Sequence, residues 1–123
     1  MTDTSTVSTG KNHDVLCALR RPTRELRREI PDVSKGFAEL HHAAMADGEV
    51  STTVKEMVAL AIAVTLRCDG CIASHARAAA HAGATRAQVA EVLGVALLMQ
   101  GGPASVYAPR ALEAFDEFAA DAS

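Results

Sequence analysis

Apolar positions recur along most of this chain with the spacing of helices that bury one face. Between residues 32 and 46, Val33, Phe37, Leu40, Ala44 and Met45 fall near the helical period, and Asp47-Gly48 provides a stop. Residues 57–64 are apolar on every side, which predicts a helix enclosed by neighbours at the centre of the fold. Asp69-Gly70 predicts a turn, after which residues 71–82 resume as an alanine-rich helix ended by Gly83. Thr85 and Gln88 have the spacing of a capping box, and Val89, Val92, Leu93, Ala96 and Leu97 line one face behind it. After Gly101-Gly102-Pro103 a last helix spans residues 104–119, with Pro109 kinking it or delaying its start.

Upstream, residues 14–20 and 23–30 predict two short helical pieces divided by Pro22. Residues 1–12 are polar and Thr/Ser-rich and predict a disordered tail, leaving residues 13–123 as one domain. No stretch alternates as a strand would, so the fold class is all-α.

Composition refines this outline. Of the 123 residues 49% are apolar but only 3% are aromatic, so much of the core must be alanine and its helices closely packed. The formal charge of -3 gives no field for nucleic acid or an anionic membrane. A local run of Arg20, Arg21, Arg24, Arg27 and Arg28 interleaves with Glu25 and Glu29 and reads as a solvated helix face, with a phosphate or RNA contact as the lesser reading. The first dozen residues lack an apolar secretory segment, and no run approaches the roughly 18 residues of a membrane span, so a cytoplasmic protein with no membrane partner is expected. Three cysteines in that compartment are no disulfide framework, and Cys17, far from the other two, reads as a small, partly buried hydrophobe.

The chemistry concentrates in CDGCIASH, Cys68 to His75. Cysteines at i and i+3 across a helix start can come within disulfide range. Cys71 at a helix N-terminus is expected to have a lowered pKa, and His75, one turn later, can take or share its proton. Zinc is the sharpest rival, because Cys68, Cys71, His75 and His81 number four ligands. His81 lies six residues past His75, about 600 degrees around the helix and on its other side, which weakens that reading. Purely structural cysteines are the third.

Glu56 has two readings. With Thr53 it fits a capping box. As a member of the site it would lie about 18 Å from Cys68 along one straight helix, unless a reversal at Asp69-Gly70 brings His75 back towards it or a neighbouring subunit closes the site. His41 and His42 are expected on a helix surface, His13 in the tail, and Tyr107 as a packing residue.

Together Glu56, Cys68, Cys71 and His75 read E-x11-C-x2-C-x3-H. This pattern resembles the AhpD-like alkylhydroperoxidase proteins of the carboxymuconolactone decarboxylase family, and the likeness runs from about residue 30 to residue 118 through VKEMVALAIAVTLRCDGC, AGATRAQVAEVLGVALLMQGGPA and VYAPRALEAFDEF. It implies an all-helical module of five to six helices with the CxxC at the start of a central helix. It implies a homo-oligomer, a trimer or hexamer, and a thiol peroxidase acting on hydrogen peroxide or organic hydroperoxides with no bound cofactor or metal. Under the resemblance Cys71 is the peroxidatic thiolate, Cys68 the resolving thiol, His75 the base and Glu56 part of the proton relay. The reductant would be an external dithiol, in the family's alkylhydroperoxidase a lipoyl-bearing protein. The best-known peroxidases carry a histidine immediately before the second cysteine, where this chain has Gly70. The alternatives are a lyase of the decarboxylase type and a non-catalytic, redox-sensing or metal-binding helical oligomer.

Overall fold

The structure, a computed structural model, describes residues 10–122. Within them lie six helices and no strand: α1 (Lys11–Glu29), α2 (Pro31–Met45), α3 (Thr52–Leu66), α4 (Asp69–His81), α5 (Arg86–Gln100) and α6 (Gly102–Ala122). The all-α expectation holds. The tail expected over residues 1–12 falls largely outside the described residues; its last part, Lys11 and Asn12, already belongs to α1.

The centre of the fold is α4, which packs against α6, α3 and α1. Ala73, Ala76 and Ala79 on α4 and Ala104, Ala108, Ala111 and Ala114 on α6 are buried. Alanines at helical spacing leave the two backbones free to approach closely, as the composition foretold. Leu60, Val64, Ile72, Val89 and Phe118 fill the remaining volume as the largest fully buried side chains.

α3 is therefore not the enclosed central helix expected from its sequence. Met57, Leu60, Ala63 and Val64 are buried, but Val54, Val58, Ile62 and Leu66 form an exposed stripe at i, i+4, i+8 and i+12. The all-round apolar composition serves two faces, of which only one is covered within the chain. α2 has the predicted amphipathic spacing but no buried residue, and Val33, Phe37 and Leu40 are 66%, 68% and 64% exposed.

Pro22 does not divide α1 as expected. A proline removes one intrahelical hydrogen bond, and here the half of the helix before it is held by other contacts. Val15 and Leu16 pack on the core. Glu117 of α6 accepts from the backbone N–H of Asn12 and of His13 and from the Asn12 amide at 3.1, 2.8 and 3.1 Å. His13 itself bonds Glu117 and Asp121 and lies against Phe118, with ring centroids 4.5 Å apart. It is an anchor rather than part of a tail. α6 likewise starts at Gly102 and runs through Pro109.

Candidate active site

The connection from α3 to α4 builds the site. Arg67 takes the left-handed conformation, φ 54° and ψ 46°, and its N–H reaches Val64 O at 3.1 Å while the Cys68 N–H reaches Ala63 O at 3.2 Å. This is the Schellman ending of a helix, formed here around arginine rather than glycine. Cys68 is then also the N-cap of α4, its Sγ accepting from the Cys71 N–H at 3.3 Å. One cysteine thus closes one helix and opens the next. The reversal falls at Arg67-Cys68, not at the expected Asp69-Gly70, so Cys68 is part of it and Cys71 lies in α4.

Two ties fix how α3 and α4 lie together. Thr53 Oγ1 donates to Ala82 O at 2.8 Å, joining the start of α3 to the end of α4. Ser51, not Thr53, caps α3, accepting from the Val54 N–H at 3.2 Å. Glu56 is consequently released from the capping-box reading. It is buried on the face turned to α4, and its Oε1 lies 2.7 Å from Nδ1 of His75. The fold-back thus brings Glu56 to His75 rather than to Cys68. At the other end of α3, Gln100 of α5 donates its amide to Thr65 O at 2.7 Å.

The two sulfurs are 2.7 Å apart, close to the 2.05 Å of a disulfide bond, so bridging needs little movement. The expected lowering of the Cys71 pKa is not found. The hydrogen bond with Cys68, then burial, then the charge of Cys68 push the Cys71 thiol up to about 11. The physical reason is position: the sulfur at the N-cap is that of Cys68, while Cys71, two residues inside the helix, shares its proton with that neighbour. Loss of the Cys71 proton near neutral pH needs a base. His75 stands one turn later on the same helix with Nδ1 hydrogen-bonded to Glu56, and the neutral tautomer that places the proton on Nδ1 leaves Nε2 to serve as that base.

Gly70 lies between the cysteines. A Cβ there would meet Leu19 Cδ1 of α1 at 3.0 Å, so the absent side chain is the space over which α1 crosses the CxxC turn. Nothing in the sequence pairs Leu19 with Gly70; only the α1–α4 packing does.

The other singled-out residues lie elsewhere. Cys17 is exposed on α1, not partly buried. His41 and His42 are exposed on α2 and His81 on the last turn of α4. Tyr107 packs on the core with the Arg110 guanidinium 4.8 Å from its ring centre. Among the described residues no three His, Cys, Asp or Glu side chains converge as a ligand set for a metal ion. No helix among them is long and apolar enough to cross a membrane.

Fold and site together define a small all-helical module whose central helix opens on a CxxC pair and carries a histidine held by a buried glutamate. The chain belongs to the carboxymuconolactone decarboxylase family, whose profile matches residues 31–114. It is 38% identical to a carboxymuconolactone decarboxylase family protein of Legionella pneumophila, solved in its apo form, with a TM-score of 0.85 over 88% of this chain and 96% of that one. A family member from Thermotoga maritima, for which a part in an antioxidative response has been suggested, superposes with a TM-score of 0.64 at 28% identity, covering 79% of this chain and 89% of that one. An uncharacterised protein of Cupriavidus necator is 39% identical over 101 residues, 82% of this chain and 89% of its own length.

Proposed function

We propose that the protein is a thiol-dependent peroxidase that reduces hydrogen peroxide or an organic hydroperoxide through Cys68 and Cys71. The observation that carries this reading is the junction of two pairs at the start of α4: sulfurs 2.7 Å apart and, one turn on, a histidine bonded at 2.7 Å to a buried glutamate of α3. A helix cap alone needs neither a second sulfur nor a buried acid.

In the proposed cycle His75 takes the Cys71 proton, and the resulting thiolate attacks one oxygen of the peroxide. The O–O bond breaks, Cys71 becomes a sulfenic acid, and the departing alkoxide or hydroxide leaves as alcohol or water with the proton from His75. Cys68 then attacks the Cys71 sulfur, an S–S bond forms, and the sulfenic oxygen leaves as water. The balance is one peroxide and two thiols to one alcohol or water, one further water and one disulfide. An external dithiol, of which a lipoyl-bearing protein is one source, restores the thiols by exchange. Glu56 holds the ring of His75 and steadies it when protonated.

Self-association belongs to the same proposal. The uncovered stripes on α2 and α3 support a homo-oligomer.

Thiol counting during titration of the reduced protein with peroxide tests the reading. Two thiols per chain are lost, and dithiothreitol restores them. Cys71→Ser stops peroxide consumption, whereas Cys68→Ser consumes one equivalent and stalls as the sulfenic acid. Undiminished consumption by Cys71→Ser would show that another group attacks.

A further inference from the structure

An open groove of about 950 Å³ runs between α1 and α4, with the end of α6 at one side. Cys68, Cys71, His75 and Glu56 are not in its lining, although Gly70 and Ser74, their neighbours in sequence, are, so the groove adjoins the candidate active site without containing its side chains. α1, which forms one wall, lies outside the stretch that matches the family profile.

Its chemistry is two-sided. Leu19, exposed, and Leu16, partly buried, supply apolar surface, and Arg20, Arg24, Arg27 and Arg77 supply four guanidinium groups. Among the described residues none of the four is paired with a carboxylate; the arginine ion pairs are Arg21 with Glu25 and Arg86 with Asp116, neither in the groove. The one acid in the lining, Asp121, is engaged by His13. Four unpaired cations in one groove of a chain whose net charge is -3 are a local reversal of sign that the fold itself does not require. The cations of α1 recur at positions 20, 24 and 27, on one side of the helix, and Arg77 faces them from α4.

We infer that this groove binds an amphipathic carboxylate, with its acid group among Arg20, Arg24, Arg27 and Arg77 and its hydrocarbon chain along Leu16 and Leu19. Guanidinium groups take carboxylates in paired hydrogen bonds, and the groove lies at the upper end of the volume range of small-molecule sites. From residue 16 to residue 27 α1 advances about 16 Å, a length suited to a medium-chain acid. A nucleic acid fits less well, because Glu25 and Glu29 break the basic run and Leu16 and Leu19 occupy the groove where a polyanion would need cations.

Cys17 lines the groove and is exposed, which gives a readout independent of any redox activity. Dodecanoate is added to the full-length protein; binding is followed by calorimetry, and alkylation of Cys17 by iodoacetamide is followed by peptide mass spectrometry. The expected result is saturable binding of one dodecanoate per chain with at least threefold slower alkylation of Cys17. The neutral dodecanol should bind at least tenfold more weakly, and the double variant Arg24→Gln/Arg77→Gln should lose at least tenfold in dodecanoate affinity. Both arginines are exposed and helical, and an unchanged circular dichroism melt establishes that the variant is folded. The inference is overturned if dodecanoate leaves Cys17 alkylation unchanged, if dodecanol or the double variant binds equally well, or if a single-stranded RNA oligonucleotide protects Cys17 where dodecanoate does not.

Discussion

Glu56 Oε1 lies 2.7 Å from His75 Nδ1, the carboxylate 7% exposed and the ring 23% exposed, across nineteen residues of chain. A buried acid on a neighbouring helix fixes which nitrogen of the ring carries the proton and how the ring is turned. Glu56→Gln keeps the size but not the charge. Its peroxide consumption should fall about 10–100-fold, part of the roughly 10²–10⁴-fold that a positioned base contributes. His75→Asn should fall at least as far, and the double variant no further than the worse single one, because the two act as a unit. Stopped-flow peroxide consumption by the reduced proteins checks this. Equal rates in wild type and Glu56→Gln would leave the glutamate a packing role only.

The thiol pair has its own pH signature. Cys71 is pushed up to about 11 from an ordinary value of 9.0, chiefly by its hydrogen bond with Cys68. A pKa raised on folding contributes stability that is complete below the unfolded value and lost as pH rises through the folded one. The reduced protein should therefore lose stability between about pH 9 and 11 relative to Cys71→Ser, read from thermal melts. Thiolate absorbance near 240 nm should show a late step near 11, and in Cys68→Ser that step should move down towards the ordinary value.

His13 and Glu117 set a second pH dependence, away from the sulfurs. Burial draws the His13 pKa down from 6.5, but hydrogen bonds to Glu117 and Asp121 outweigh it and leave it raised. Burial likewise pushes Glu117 up from 4.5, but the amides of His13 and Asn12 and the His13 ring outweigh it and leave it lowered. The raised histidine stabilises fully below 6.5 and fades as pH climbs through its folded value. The lowered carboxylate stabilises above 4.5 and fades as pH falls through its folded value. The anchor between α1 and α6 is strongest between these limits. His13→Gln should lower the melting temperature most near pH 5.5, by about 2–6 °C, and less at pH 8. A deficit independent of pH would assign the anchor to the backbone N–H bonds alone.

The turn at Arg67 makes a further prediction. A non-glycine residue at φ 54° carries a conformational cost of about 1 kcal/mol, which glycine does not. Arg67→Gly should stabilise the protein by up to about 0.5 kcal/mol after the added freedom of the unfolded chain is counted. Urea denaturation reads it as a higher midpoint at unchanged slope. A lower midpoint would mean that the arginine side chain contributes more than its backbone costs.

That turn also marks where the sequence was opaque. The Thr85–Gln88 capping box and the buried face of Val89, Leu93 and Ala96 could be read directly, because each depends only on residues within two turns. So could the alanine-rich packing of α4 and the expectation that a fold-back would set Glu56 against His75. The position of the reversal could not, since arginine does not announce a left-handed helix end and Asp69-Gly70 does resemble a turn. Pro22 and Pro109 misled for a related reason: the cost of a helical proline is local, whereas the contacts of Asn12, His13 and Glu117 that hold α1 span a hundred residues of chain. The Cys71 pKa depended on which cysteine caps α4, a choice of one residue that periodicity does not make. The exposed stripe of α3 lay hidden in a segment apolar all round, where one chain cannot show which face it covers itself.

That stripe carries the last prediction. Val54, Val58, Ile62 and Leu66 recur every four residues along one side of α3, all exposed, and Leu98 and Met99 of α5 are exposed as well. Covering such side chains contributes roughly 1 kcal/mol each, so four of them from each chain offset much of the entropy of association, and Leu98, Met99 and the α2 face add further apolar surface to a contact between copies. Sedimentation should give the wild type a mass that is a multiple of 12.8 kDa. Ile62→Lys/Leu66→Lys places two charges in the stripe without touching the buried face that carries Leu60 and Val64, and should shift the mass towards one chain while circular dichroism stays helical. A variant that remains fully assembled would move the interface to another surface, with the Val33, Phe37 and Leu40 face of α2 next to be tested. A wild type that stays monomeric at 50 µM would reject association altogether.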